Sequence, residues 1–277
     1  MVGNDATTRK EQVADLYNRI AANYGRMGPD LFAPFGQWLV ECLSLAPGER
    51  VLDVATGRGA ALFAAAEKVG SAGKVVGIDL AEQMVRLTTA DIARLEVKNA
   101  TVLQMDAEHL VFPDRSFDDV LCAYALFFFP NIEHALAEFY RVLRPGGKLG
   151  VSVPCGGDER WRWYGELFVT YHEQYHFSLD QGGPFLDPPA IISLLSQAGF
   201  VEIETHTQEF EFLYTHEQDW WLSRWAEAAR FPLERIPPEA LESFKADVFK
   251  RMETLKQSDG FHYRRNACCF LGKKPVR

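Results

Sequence analysis

Long apolar runs, basic clusters and metal-ligand spacings are all missing from this sequence of 277 residues. No window approaches the roughly 18 apolar residues that a membrane span requires. Residues 1–10 are polar and carry no apolar targeting segment, so no span and a cytoplasmic location are expected. No run of basic residues is longer than a pair such as Arg264 with Arg265 or Lys273 with Lys274, and the formal net charge is -9. That balance repels a phosphate backbone and argues against nucleic acid as a partner. Cysteine is scarce: Cys42, Cys122, Cys155, Cys268 and Cys269 are odd in number and show no C-x-x-C spacing. Neither a disulfide framework nor a metal site follows, and reduced, mostly buried thiols are expected. Tandem repeats and low-complexity tracts are absent too.

What is present is ordinary globular usage, 47% hydrophobic and 24% charged. Val13, Leu16, Tyr17 and Ile20, then Leu31, Phe35, Trp38, Leu39 and Leu43, keep helical spacing on either side of a break across residues 25–34, which predicts two leading helices. Residues 51–55 then form a short apolar run ending in a glycine-rich loop. Strands are predicted at 74–79, 101–105, 117–124 and 148–153, and helices at 60–69, 81–95 and 132–143, the last ended by the turn Arg144, Pro145, Gly146, Gly147. Strands apolar on both faces and alternating with helices indicate a doubly wound α/β fold with a parallel sheet.

The second half differs. Trp161, Trp163, Tyr164, Phe168, Tyr171, Tyr175 and Phe177 crowd a helical segment, and another helix is predicted at 188–198. Residues 201–212 alternate as an antiparallel strand does, with 261–271 as partner, completing a seven-stranded sheet, mostly parallel with one antiparallel strand. Residues 217–256 read as a helical insertion broken at Pro232, Pro237 and Pro238.

In an open α/β sheet, ligands bind beyond the carboxyl ends of the strands, usually at the first. Here that loop is Asp53, Val54, Ala55, Thr56, Gly57, Arg58, Gly59. Gly57 and Gly59 permit a tight turn and close approach of a ligand to the backbone. A dinucleotide fingerprint needs a third glycine where Leu62 stands. Asp53 repels a pyrophosphate but attracts an ammonium group. Asp79, at the tip of the second strand, can accept bonds from both ribose hydroxyls. Together these residues ask for a ligand with a cation and a ribose but no diphosphate.

The runs 51–59, 77–79, Met105-Asp106-Ala107, Phe117-Asp118 and 141–147 resemble the successive motifs of class I S-adenosylmethionine-dependent methyltransferases, most of all the ubiquinone and menaquinone C-methyltransferase branch. The likeness covers roughly residues 11–153. It implies a Rossmann-like fold, an N-terminal helical lid over 1–45 and a cofactor-binding domain over 46–277, with acceptor-pocket segments at 155–198 and 215–258. It further implies that S-adenosylmethionine is the cofactor, with Ala55, Gly57 and Gly59 at its methionine end and Asp53 on its amino group. Asp79 then binds the ribose, Leu80 and Met84 flank the adenine, and Asp106 and Ala107 meet its amino group and ring. Ala123 and its successors to Leu126 lie near the sulfonium, and Tyr24 closes over the cofactor. Ala55 departs from the glycine many members have.

Plain structural readings stand beside these. Asp53, Asp79 and Asp106 can each serve as a helix cap, Asp118 and Asp119 fit a structural role better than a metal site, and Trp220, Trp221 and Trp225 suit ordinary core packing. A sulfonium methyl needs little more than an aligned nucleophile and exclusion of water, though a hydroxyl or acidic carbon must lose a proton. His172 and His176, at i and i+4 beside Tyr171 and Tyr175, are the candidate bases, with surface or packing roles as the alternative. Aromatic density in the variable segments points to a small aromatic or apolar acceptor, a polyketide or quinone-like phenol, methylated on carbon or oxygen. Rival readings are a cofactor-binding enzyme of another reaction type such as a cyclase, a non-catalytic nucleoside sensor, and an NAD-linked dehydrogenase.

Overall fold

The computed structural model describes residues 2–177 and 186–276, with side chains from residue 7. In chain order the elements are α1 (Val2–Ile20), α2 (Phe32–Leu43), β1 (Arg50–Val54), α3 (Ala60–Val69), β2 (Lys74–Asp79), α4 (Glu82–Arg94), β3 (Ala100–Gln104), β4 (Phe117–Ala123), α5 (Ile132–Val142), β5 (Leu143–Gly157), α6 (Arg162–Tyr175) and α7 (Pro188–Gln197). They continue with β6 (Val201–Tyr214), α8 (Glu217–Trp225), α9 (Arg230–Leu233), α10 (Pro238–Met252) and β7 (Phe261–Lys273). Residues 178–185, part of the predicted 155–198 segment, lie outside the described residues.

Seven strands form one sheet in the order β3-β2-β1-β4-β5-β7-β6. Strands β1 to β5 pair in parallel. β7 runs antiparallel to both its neighbours, so it alone reverses direction. The order turns back at β1 and β4, which leaves a crevice beyond their carboxyl ends. Val51, Leu52 and Val54 of β1 and Val75 and Ile78 of β2 are fully buried, as helices on both faces require. The alternation of 201–212 has a different cause. β6 is an edge strand whose residues are mostly exposed up to Phe212.

Helices α2 and α3 pack on one face, and Gly36 sets their separation: a Cβ there would fall 2.5 Å from the backbone carbon of Ala60. α1 crosses to α4, where Leu16, Ile20, Met84 and Phe128 form a buried cluster. The Pro-Gly-Gly turn after α5 is absorbed into β5. Gly146 takes φ 83°, and backbone bonds tie Gly146 and Gly147 to Lys274 at 2.9 and 2.8 Å. The predicted helical segment 217–256 holds α8 to α10, with breaks at 226–229 and ahead of Pro238 while Pro232 lies inside α9, and Trp220 within it is completely buried against Trp161.

The expectation of five reduced thiols is corrected. Cys155 and Cys268 form a disulfide with Cα atoms 5.5 Å apart, leaving Cys42, Cys122 and Cys269 free. An odd count never excludes one bridge, and the two residues meet only because β5 and β7 pair, 113 residues apart in sequence. Among the described residues no helix is long and apolar enough to cross a membrane.

Candidate functional site

Everything at the head of the sheet follows from the turn that leaves β1. Ala55, Gly57 and Gly59 all take left-handed φ, at 53°, 53° and 82°. Glycine adopts this freely; for Ala55 it costs about 1–2 kcal/mol. Bonds on several sides hold the turn in place: Thr56 N–H donates to the Ile78 carbonyl at 2.9 Å, and Thr88 Oγ1 donates to the Gly57 carbonyl at 2.7 Å. Arg58 donates to the Ala21 carbonyl at 2.8 Å and pairs with Asp91, joining the loop to the end of α1.

Two carboxylates meet this loop. Asp53 is 1% exposed; its Oδ2 accepts from Thr56 Oγ1 at 2.5 Å, and its Oδ1 is buried without a partner. Loss of hydration pushes its carboxyl up to about 7, against the opposing bond from Thr56, and the nearby Asp79 charge adds to the rise. Asp79 Oδ2 accepts from Gly57 N–H and its Oδ1 from Ala81 N–H, each at 2.8 Å. Desolvation raises its carboxyl to about 6 despite these bonds.

Asp79 opens into a cavity of about 730 Å³, lined also by Tyr17, Tyr24, Ala55, Gly57, Leu80, Asp106, Ala107 and Ala123. At its far end Asp106 Oδ1 caps Glu108 N–H at 2.9 Å, while Lys10 Nζ from α1 reaches Asp106 Oδ2 at 2.7 Å and Glu108 Oε2 at 2.6 Å. The lysine holds the Asp106 carboxyl below its ordinary range, outweighing partial burial. Asp53 lines a smaller recess behind the loop that shares Tyr24, Ala55, Gly57, Ala123 and Tyr124 with this cavity.

A second chamber, of about 1160 Å³, adjoins the first across Tyr17, Tyr24, Tyr124 and Phe128. Its walls are mainly aromatic, including Phe32, Phe127, Tyr164 and Phe168, with Glu227 and Arg265 among them. Tyr24 stacks on Phe32 with centroids 4.3 Å apart and stands between the two spaces.

Four expected residues fall elsewhere. Met84 is completely buried between α1 and α4 and lines neither cavity, because the start of α4 turns it toward Leu16 and Ile20. Gly59 faces an outer groove with Arg58 and Asp91. His172 and His176 line neither space. α6 stops at Tyr175, so His176 caps it at φ 57° and the shared helical face is lost, while His172 Nδ1–H donates to the Phe177 carbonyl. Asp118 and Asp119 bond backbone N–H groups of Arg50 and Lys148, structural roles both. Among the described residues no three His, Cys, Asp or Glu side chains gather as metal ligands.

Sequence reasoning missed Lys10, Tyr17, Glu227 and Arg265. For Arg265 a signal existed: strand alternation puts it on the face of Phe261, Ala267 and Cys269, all fully buried, while Arg264 faces outward. For Glu227, which lies in the loop after α8, no periodicity offered one.

Comparison with known proteins bears on what these cavities serve. A methyltransferase-domain profile matches residues 51–147. Nocamycin O-methyltransferase of Saccharothrix syringae is 30% identical over 249 residues, covering 85% of this chain and 89% of that protein. The chain belongs to the class I S-adenosylmethionine-dependent methyltransferases. Aklanonic acid methyltransferase DauC of Streptomyces sp. (strain C5) is 41% identical over 145 residues, 52% of this methyltransferase and 66% of the relative. A demethylmenaquinone methyltransferase of Geobacillus sp. (strain WCH70) is 27% identical, covering 76% and 97%. Among solved structures, the YcgJ protein of Bacillus subtilis aligns with a TM-score of 0.61 at 18% identity, covering 87% of this chain and 98% of that one. The [4+2]-cyclase SpnF aligns at 0.58 and 20%, covering 98% and 95%. At such identities these two likenesses report the fold alone.

Proposed function

We propose that this methyltransferase carries a methyl group from S-adenosylmethionine to an oxygen of a small aromatic acceptor of secondary-metabolite or quinone type. The observation that carries the reading is the junction of two cavities at Tyr24, Tyr124 and Phe128, one headed by acidic strand tips and the other walled by aromatic rings. The naming of one relative as an O-methyltransferase, over 85% of the chain, supports oxygen as the receiving atom.

The residues present fit the cofactor. The orphaned Oδ1 of Asp53 is a buried acceptor in need of a donor, which an α-ammonium group supplies. Asp79, with one N–H on each oxygen, retains lone pairs for ribose hydroxyls. Leu80 and Ala107 offer apolar contact to the adenine, and Asp106 offers a carboxylate at its edge once Lys10 shares it. Gly57 and Ala55 let the methionine end approach the backbone, and Ala123 lines the same cavity. When bound, S-adenosylmethionine supplies a methyl group on a positively charged sulfur, ready for in-line attack. The chain's own part is to orient the acceptor across Tyr24 and Tyr124 and to exclude water with the rings of Phe32, Phe127 and Phe128. No histidine lines the chamber among the described residues, so the acceptor's proton leaves to another group or to water.

Incubation with methyl-labelled S-adenosylmethionine and a panel of hydroxylated naphthalenes and anthraquinones tests the reading. Label in the arene, released by ether-cleaving acid, is expected. Label that stays on the cofactor, although it binds, refutes methyl transfer to such acceptors and favours a reaction of the cyclase kind.

A further inference from the structure

We propose that Arg265 determines specificity in the aromatic chamber, which takes acceptors bearing an anionic oxygen, such as an arene carboxylate. The inference rests on the reading that this chamber holds the acceptor.

Arg224, 2% exposed, pairs through Nη1 with Glu227 Oε1 at 2.5 Å. Arg265 Nη2 donates to the same carboxylate at 3.0 and 3.1 Å. Two guanidinium groups thus share one carboxylate, and among the described lining residues Glu227 is the only acid and Arg265 the only base. Arginine does not give up its proton in proteins, so one positive charge is left over in a largely apolar enclosure. The Tyr263 ring, 5.3 Å from Arg224 and 5.2 Å from Arg265, attracts both cations without offering an anion.

Hydrogen bonding says the same. Among the described residues Arg265 bonds through Nη2 alone, and its Nε is buried without a partner. Tyr124 Oη and Tyr164 Oη, from the end of β4 and from α6, are also buried and unpartnered. Three donors on three separate elements around one chamber lack a protein acceptor, which is uncommon in a native fold. Arg224 is in a different position: its remaining N–H groups reach Ser223 Oγ and Tyr214 Oη at 3.0–3.3 Å, sealing it behind the wall. Arg265 is therefore the cation that faces the ligand, and Glu227 and Arg224 are the residues that fix it. An acceptor that arrives already ionised also needs no base, in keeping with a chamber that no histidine lines among the described residues.

The test compares 2-naphthoate with 2-naphthamide, rings of one shape that differ in charge, by calorimetry on the full chain saturated with S-adenosylhomocysteine. Naphthoate is expected to bind about tenfold tighter or more, as a charge-assisted bond implies. Arg265→Gln is expected to bring the ratio to about one, and Arg265→Lys to keep part of it, with S-adenosylhomocysteine affinity unchanged in both. Removing Arg265 leaves Glu227 paired with Arg224. Equal affinity for the two probes in the parent protein, or a preference that survives in R265Q, overturns the inference and leaves the aromatic-acceptor reading standing. Failure of both probes to bind, with the cofactor product bound, overturns both. The parent comparison needs no variant and decides the matter if R265Q does not fold.

Discussion

The Gly57 N–H donates to Asp79 Oδ2 at 2.8 Å, tying the tip of β2 to the loop that leaves β1. One carboxylate thereby fixes the glycine turn and offers its remaining lone pairs to the cavity. Asp79→Ala removes both, and the loss of bonds to a charged acceptor is worth about 1.5–3 kcal/mol, roughly 10- to 150-fold in affinity. Calorimetry with S-adenosylhomocysteine on the variant, shown folded by circular dichroism, checks this. A change below threefold contradicts it.

Asp53 and Asp79 carry raised carboxyls, at about 7 and about 6. A carboxyl raised on folding binds its proton more tightly in the folded chain than in the unfolded one. Its stabilising share is complete below the ordinary carboxylate value of 3.8 and is lost as pH climbs through 6 to 7. An ammonium ligand, by contrast, prefers the ionised form. The rise in Tm caused by saturating S-adenosylhomocysteine is therefore expected to be larger at about pH 8 than at about pH 5.5. A rise that is constant or shrinks toward alkaline pH counts against these groups as the ligand's partners.

The β-branched runs, the glycine turn and the strand-tip acids were legible because they depend on neighbours in sequence: unbroken apolar runs in β1 and β2, buried on both faces, and left-handed φ values that glycine adopts freely. What escaped depends on distant chain. Met84 points inward because α1 packs on α4, a contact no local pattern carries. His172 and His176 fit a helical face on paper, but the helix ends at Tyr175. The disulfide and the Arg265–Glu227 pair exist only once β7 slots between β5 and β6.

Glu227→Ala leaves Arg224 and Arg265 without a counter-ion. Removing one partner from a buried charge pair destabilises by about 3–5 kcal/mol. Urea denaturation is expected to show that loss, while the exposed Glu209→Ala changes stability by less than about 0.5 kcal/mol. Equal midpoints for E227A and the parent contradict the buried network.

The Cys155–Cys268 bridge closes 113 residues of chain. Cys155→Ser and Cys268→Ser are each expected to lower stability by about 2–5 kcal/mol, and to the same extent as reduction of the parent. In denaturant without reductant, thiol titration is expected to find three free groups, matching Cys42, Cys122 and Cys269. Five would mean that the bridge does not form.

The cofactor assignment stands on the buried Asp53 oxygen that the protein leaves without a donor. Calorimetry of Asp53→Asn with two ligands isolates it: S-adenosylhomocysteine carries the amino-acid ammonium, and adenosine does not. The expected result is about tenfold or greater weakening for S-adenosylhomocysteine with adenosine unchanged. Undiminished S-adenosylhomocysteine affinity in the folded variant would contradict the account.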